Sequence, residues 1–244
     1  DIVILGGRVI NPESNTDEIL NIGIKDGKIG SISSEKIEGK TEINAKNLIV
    51  SPGFIDILSY DPNGFGEICK VNDGVTTNLS MHGASSINFK RLSEKYKNKL
   101  IVNFGGAVSH VKLRYAVGLM DSYAKASSEQ VKKMVELAKQ SIFDGALGIA
   151  FSFEYTPGIT FDEAMELFKL AKENKILCTV HVRYSSMDGV GTNIDAINEV
   201  LELCKKSGSS AQIVHINSTG GTFSMTESLD LISTAKAEGI DIIA

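Results

Sequence analysis

Residues 144–182 read DGALGIAFSFEYTPGITFDEAMELFKLAKENKILCTVHV. Two short apolar runs, Ala146–Phe151 and Leu177–Val182, enclose a helical pattern. Asp144-Gly145 marks the stop of a preceding helix. Thr160-x-x-Glu163 has the spacing of a capping box, in which each side chain satisfies an orphan backbone N–H. Ala164, Leu167, Phe168 and Ala171 recur at i, i+3, i+4 and i+7, so one helix face is apolar. A strand, a helix and a second strand in that order predict a parallel βαβ unit.

The same alternation runs outward in both directions. Further strand candidates are Phe54–Leu58, Thr76–Met81, Ile101–Phe104, Ala211–His215 and Ile240–Ala244. Ser127-x-x-Gln130 and Ser224-x-x-Glu227 have capping-box spacing, and Glu238-Gly239 supplies another stop. A closed barrel of this kind needs eight parallel strands, and an open sheet edge leaves backbone groups unpaired. Seven candidates therefore predict an α/β fold over residues 51–244, a (β/α)8 TIM-type barrel that is incomplete in this chain. An open doubly wound sheet is the alternative, but no G-x-G-x-x-G follows the early strands. Residues 1–50 read as a small β-domain, with strands at Ile2–Leu5, Asn21–Ile24, Lys28–Ile32 and Leu48–Val50. Asp26-Gly27 between two of them is a hairpin signal.

Composition narrows the function. With 42% hydrophobic and 23% charged residues, the 244-residue chain has the balance of a globular protein. A net charge of −5 argues against nucleic acid as a partner, since phosphate binding needs a basic surface. No run of about 18 apolar residues is present, so no membrane span is expected. Asp1–Leu5 reads as a strand rather than a signal peptide. Cys69, Cys178 and Cys204 are odd in number and lack a C-x-x-C, which predicts reduced thiols and a cytoplasmic protein.

In α/β barrels the chemistry sits at the C-terminal strand ends. All four histidines, His82, His110, His181 and His215, fall at or just beyond such ends. One alone reads more readily as a core or loop histidine; four together point to a Zn2+ site built from neutral imidazoles. Arg183 lies two residues after His181, the spacing that puts both on one side of a strand. It is a candidate to grip a substrate carboxylate, or else an ion pair at the rim. Glu154, after the fourth strand candidate, could bind metal, move a proton or pair with Arg183. Ser218, Thr219, Gly220 and Gly221 form a polar segment that either covers a ligand or is only a loop.

Several motifs together resemble a known family. Asp1-Ile2-Val3-Ile4-x-Gly6-Gly7-Arg8-Val9-Ile10 and Ser51-Pro52-Gly53-Phe54-Ile55-Asp56 look like the opening strands of amidohydrolase-superfamily enzymes. Gly74-Val75-Thr76-Thr77, Asp144-Gly145-Ala146-Leu147-Gly148, Phe153-Glu154-Tyr155-x-Pro157-Gly158, His181-Val182-Arg183 and His215-Ile216-Asn217-Ser218-Thr219 resemble its D-aminoacylase branch. Within that branch they are similar to the N-acyl-D-glutamate deacylase-like members. The resemblance implies a barrel beside a small β-sandwich built from both chain ends. It also implies hydrolysis of N-acyl-D-amino acids, or of a related cyclic or linear amide, by a Zn2+-activated water. The implied substrate is a small molecule carrying a carboxylate, met by Arg183, Tyr155, Asn217 and Ser218. His181 and His215 match the family's metal-binding histidines, and His82 stands where the branch carries a bridging ligand. Leu58 and Tyr60 occupy the positions of the family's first-strand H-x-H, so one Zn2+ rather than two is expected. Asn217 replaces a Lys common in the branch. The catalytic Asp belongs to the eighth strand, so the remaining C-terminal part of the protein, in continuation or as a separate chain, is the expected partner. The alternative is a catalytically impaired binding or structural protein on the same fold.

Overall fold

Asp26 and Gly27 both take positive φ, 52° and 71°, the backbone that a two-residue hairpin turn demands. They join two of the strands in the first of two units, Asp1–Phe54 and Ile55–Ala244. The computed structural model describes residues 1–82, 86–219 and 221–244, the side chains of 221–223 excepted.

The first unit holds β1 (Ile2–Asn11), β2 (Thr16–Lys25), β3 (Lys28–Ser33), β4 (Thr41–Asn44) and β5 (Ile49–Val50). β1 pairs antiparallel with β2, which pairs antiparallel with β3. On its other side β1 takes β4 along Ile2–Leu5 and β5 at Arg8–Val9, both parallel. The β1–β2 register slips between Ile4 and Gly7. At that bulge Gly6 has φ 68° and its N–H donates to Asn21 Oδ1 at 2.8 Å. A Cβ on Gly7 would lie 2.5 Å from Val50 Cγ2, so only glycine lets the β5 side chain approach. The described residues here form a single mixed sheet, one layer of the expected sandwich.

The second unit contains β6 (Phe54–Asp56), α1 (Gly64–Asn72), β7 (Val75–Ser80), α2 (Phe89–Tyr96), β8 (Asn103–Gly106) and β9 (Val108–Ser109). It continues with α3 (His110–Ala116), α4 (Ser128–Phe143), β10 (Gly148–Ser152), α5 (Phe161–Asn174), β11 (Leu177–His181) and α6 (Asn193–Ser207). β12 (Ala211–Ile213), α7 (Ile216–Thr219), α8 (Gly221–Ala237) and β13 (Ile242–Ile243) complete it. β9 through β13 pair in chain order, each parallel to the next. β6, β7 and β8 form a second sheet in which β7 and β8 are parallel. β8 and β9 are one run of chain interrupted at Ala107, whose N–H donates to Ser80 O at 2.9 Å. Leu147 N–H donates to Gly106 O at 2.9 Å across the same break.

The strands fall near the expected runs, with one shift and one addition, β4 at Thr41–Asn44, which no expected run covers. The third was expected at Ile101–Phe104, and pairing instead begins at Asn103 and reaches Ser109. Beyond the expected run the pairing takes in Gly105 and Gly106, which hydrophobicity does not mark. A Cβ on Gly105 would come within 2.5 Å of Leu147 Cδ1, so the neighbouring side chain fills the space that glycine leaves.

Helices α4, α5 and α6 cover the outer face. Met134 and Ala138, then Leu167, Phe168 and Ala171, then Ala196, Val200 and Leu203 are all buried in one core with Ile149, Phe151, Val180 and Ile213. Met81, Ala107 and Ala150 make a second, smaller cluster, and Thr179 Oγ1 donates to Met81 O beside it.

The caps show where local pattern and tertiary demand part. Ser127 and Gln130 close a full capping box. Thr160 accepts from Glu163 N–H as expected, but the Glu163 carboxylate does not return to the cap. It turns into the core, where it accepts from Arg114 Nη1 at 2.6 and 2.7 Å and meets His110 Nε2 at 2.9 Å. Thr192 and Asp195 form a second full box that a search for Glu or Gln at the fourth position misses. Ser224 sits at a kink inside α8, with its hydroxyl donating to Asn193 Oδ1.

Candidate metal centre

Three of the four histidines meet. His82 follows β7, His181 is the last residue of β11, and His215 follows β12. One ligand nitrogen from each lies within 4.8 Å of the others. His181 Nδ1 stands 3.0 Å from His215 Nε2, and the His82 ring centroid is 4.8 Å from that of His215. His110 is not among them: it opens α3, fully buried, and serves the Arg114–Glu163 pair.

Backbone conformation brings His215 in. Ala211 and Ile213 pack into the main core, and strict alternation would send residue 215 the same way. His215 instead takes φ 39°, a left-handed conformation rare outside glycine. This ends the strand and turns the chain into α7, where Ser218 N–H donates to His215 O at 2.8 Å.

The partners of each ring settle which nitrogen is bare. Glu154 Oε2 lies 2.6 Å from His181 Nε2. A carboxylate only accepts, so in the neutral ring the proton sits on Nε2 and Nδ1 keeps its lone pair. Ser218 Oγ donates to His215 O at 3.1 Å and lies 3.1 Å from His215 Nδ1. A hydroxyl has one proton to give, so with that bond made it accepts from Nδ1–H and leaves Nε2 bare. Two lone pairs then face each other at 3.0 Å, an arrangement that asks for a cation between them. Zn–N bonds of about 2.0–2.1 Å put neighbouring ligand nitrogens roughly 3.3 Å apart in a tetrahedron, so the His181–His215 pair stands near ligand spacing, with His82 within 4.8 Å to complete the set. Burial, then the neighbouring His215 and His181, lowers the His82 pKa. Burial and His181 lower that of His215, against smaller opposing contributions from its own backbone and Glu154. Both shifts favour the neutral imidazole that a ligand must be.

Around the cluster, the Tyr155 ring lies 4.8 Å from His181 and the Tyr60 ring 6.2 Å from His82, centroid to centroid. Leu58 and Tyr60, at the positions of the expected H-x-H, are 43% and 61% exposed. Ser218 touches His215 directly, while Asn217 is exposed on α7. Gly220, part of the polar segment expected to cover a ligand, lies outside the described residues; Ser218 and Thr219 are in α7 and Gly221 begins α8.

Arg183 corrects the sequence reading. Its Nε and Nη2 donate to Glu199 at 2.9 and 2.7 Å, Nη1 to Pro157 O at 3.0 Å, and Nη2 also to Ile159 O at 3.2 Å. The guanidinium also stacks over Phe153. β11 ends at His181, so the two-residue alternation does not carry through Val182, and the side chain turns to α6 instead. The rim ion pair is what forms, and the fork has no free edge for a carboxylate. Glu154 accordingly pairs with His181 and with Ser185 Oγ, at 3.0 Å, rather than with Arg183. Ser185 went unnoticed in the sequence, where a serine in a polar segment carries no signal.

Residues 69–244 match the model described as the amidohydrolase family. A D-aminoacylase of Alcaligenes xylosoxydans xylosoxydans is 24% identical over 216 residues, 75% of this chain and 44% of that protein. An allantoinase of Bacillus licheniformis is 26% identical over 278 aligned positions, 99% of this chain and 58% of that protein. Among solved structures, N-acyl-D-glutamate deacylase from Bordetella bronchiseptica, complexed with zinc and a phosphonate inhibitor, superposes with a TM-score of 0.85 at 22% identity. That match covers 100% of this chain and 57% of the other. The chain thus spans about half the length of the relatives it matches.

Proposed function

The chain belongs to the amidohydrolase family, and from that premise we propose that it carries the metal centre of a hydrolase cleaving the amide bond of N-acyl-D-amino acids, or of a related cyclic or linear amide. The convergence of His82, His181 and His215 carries this reading. These three would hold one Zn2+, which supplies Lewis acidity and lowers the pKa of water. The chain's own groups do the rest: Glu154 and Ser218 hold the rings, while Tyr155 and Tyr60 wall the cluster on two sides. Ser218 and Asn217, at the start of α7, are the polar groups offered to a substrate. With Arg183 committed to Glu199, a cation other than Arg183 would meet a substrate carboxylate. The acid/base Asp we assign to an eighth strand completing a (β/α)8 barrel, supplied in continuation or by a separate chain. The free thiols of Cys69, Cys178 and Cys204 support a cytoplasmic setting. Among the described residues no helix is long and apolar enough to cross a membrane.

A second reading, a binding protein that has lost hydrolysis, draws on Leu58 and Tyr60, neither of which replaces an imidazole. Metal analysis after Zn2+ reconstitution separates the two. One ion per chain, lost in His181→Ala and in His215→Ala, supports the hydrolase; no bound ion leaves the binding protein standing. Turnover of N-acyl-D-amino acids against cyclic amides then selects the substrate class.

A further inference from the structure

We propose that Glu154 is a positioning residue for the metal: it fixes the His181 proton on Nε2 and so aims the Nδ1 lone pair at His82 and His215. This rests on the metal-hydrolase reading above. The argument starts in the backbone. β10 and β11 run parallel with Ser152 opposite His181, and Phe153 N–H donates to His181 O at 2.9 Å. The residue after Phe153 is thereby registered against the histidine. A tight turn holds it there: Tyr155 N–H, Thr156 N–H and Thr156 Oγ1 all donate to Ser152 O, at 3.2, 3.1 and 2.7 Å.

The carboxylate is then held from two directions. Oε2 meets His181 Nε2 at 2.6 Å and Oε1 accepts from Ser185 Oγ at 3.0 Å. It stands on the edge of the imidazole opposite Nδ1, which faces His215. Glu154 therefore acts through His181. Its importance follows from the state it prevents. Were the proton on Nδ1, it would bridge the 3.0 Å to His215 Nε2, and one His–His hydrogen bond would consume two of the three ligand atoms. Glu154 gives the proton a better acceptor on the far side, and the ligand pair stays open. Carboxylates that hold a ligating histidine in this way raise its basicity and fix its tautomer.

The test uses the whole chain, first without metal. Nitrogen-15 chemical shifts of the histidine rings at mildly alkaline pH report the tautomers directly in the wild type, whatever becomes of any variant. The Nε2–H form is expected for His181, and the Nδ1–H form would overturn the proposal. Zn2+ affinity by competition with a chromophoric chelator is the second readout. Glu154→Ala should weaken binding by about 10–100-fold, whereas Glu154→Gln, which keeps an acceptor oxygen, should restore most of it. Glu154→Ala with wild-type affinity would sink the positioning role alone. A wild type that binds no Zn2+ would instead sink the metal-hydrolase reading, and the role of Glu154 toward the metal with it.

Discussion

Arg114 carries its charge into a core where it is 1% exposed, and it is held there by Glu163, with a further bond from Nη2 to Ala124 O. Removing one partner of such a pair leaves the other charge buried and uncompensated. Glu163→Gln should therefore cost about 3–5 kcal/mol in a urea titration, and a loss under about 1 kcal/mol would show that the site takes up water. Acid weakens the same cluster. Burial alone would raise the Glu163 carboxyl, but His110 and Arg114 outweigh it and hold the pKa below its ordinary value of 4.5. Burial, opposed by Glu163, holds His110 below its ordinary value of 6.5. Both values are depressed on folding, so at acid pH the unfolded chain binds the extra protons and stability falls as pH falls. The His110 part of the loss begins near pH 6.5, and the Glu163 part begins near 4.5 and is complete below its folded value. His82 and His215 shift the same way, so the contribution of His110 is read as the difference between wild-type and His110→Asn melting curves, which should diverge below about pH 6.5. At the metal centre, Leu58→His with Tyr60→His should raise the bound metal from one ion per chain toward two, by elemental analysis; an unchanged ratio would count against an H-x-H position there. His82, His181 and His215 were legible in the sequence because strand ends in this architecture converge. The cost of Glu163 was not: capping-box spacing hid its role, and nothing local says that His110 and Arg114 come to meet it.

At the scale of elements, the helix starts and the strand interiors respond to different substitutions. Ser127 closes both halves of the box that opens α4, so Ser127→Ala should cost about 1 kcal/mol. Gly148 opens β10, where a Cβ would lie 2.4 Å from Leu177 O and 2.7 Å from Met81 Cε. The methionine can move, but the carbonyl belongs to the paired strand and cannot. Gly148→Ala should cost at least about 1–3 kcal/mol, more than the cap, and the same denaturation experiment ranks the two. Apolar runs bounded by turn residues made most of the strands legible, and periodicity made α5 legible. β8 was displaced because its second half is Gly105-Gly106, residues suited to close approach rather than hydrophobicity. Arg183 was misplaced for a related reason: alternation holds only while the strand lasts, and the sequence does not mark its end at His181.

At the scale of the molecule, several exposed apolar side chains fall on two consecutive elements. Ile55, Phe65, Ile68 and Val71 are all exposed on β6 and α1, Phe65 to 79%. β6 lies at one end of its sheet and β13 at the end of the other. The eighth strand and helix proposed above would cover such edges and side chains. Residues 1–244 alone should bind a hydrophobic dye and associate with rising concentration in sedimentation, and an added strand–helix unit should abolish both. A monodisperse, dye-silent monomer would refute the assignment of an eighth unit to this edge. The α/β class with parallel sheets was legible at this scale because seven strand candidates in alternation with helices leave few topologies. The substrate was not, because the relatives of similar identity include a D-aminoacylase and an allantoinase.

The pairing of β9 to β13, each with its neighbour in the chain, also sets a schedule for synthesis. A polypeptide leaving the ribosome from its N-terminus can add each arriving strand to an edge already in place. Little of the sheet must wait for distant sequence; the Thr179 bond to Met81 O, 98 residues apart, is one contact that must. The cost of growing in this order is that every stage offers an unpaired strand to its surroundings, and to other nascent chains on the same message. Yield on expression should then depend on translation speed and chaperone supply more than on the strength of any one contact in the finished sheet.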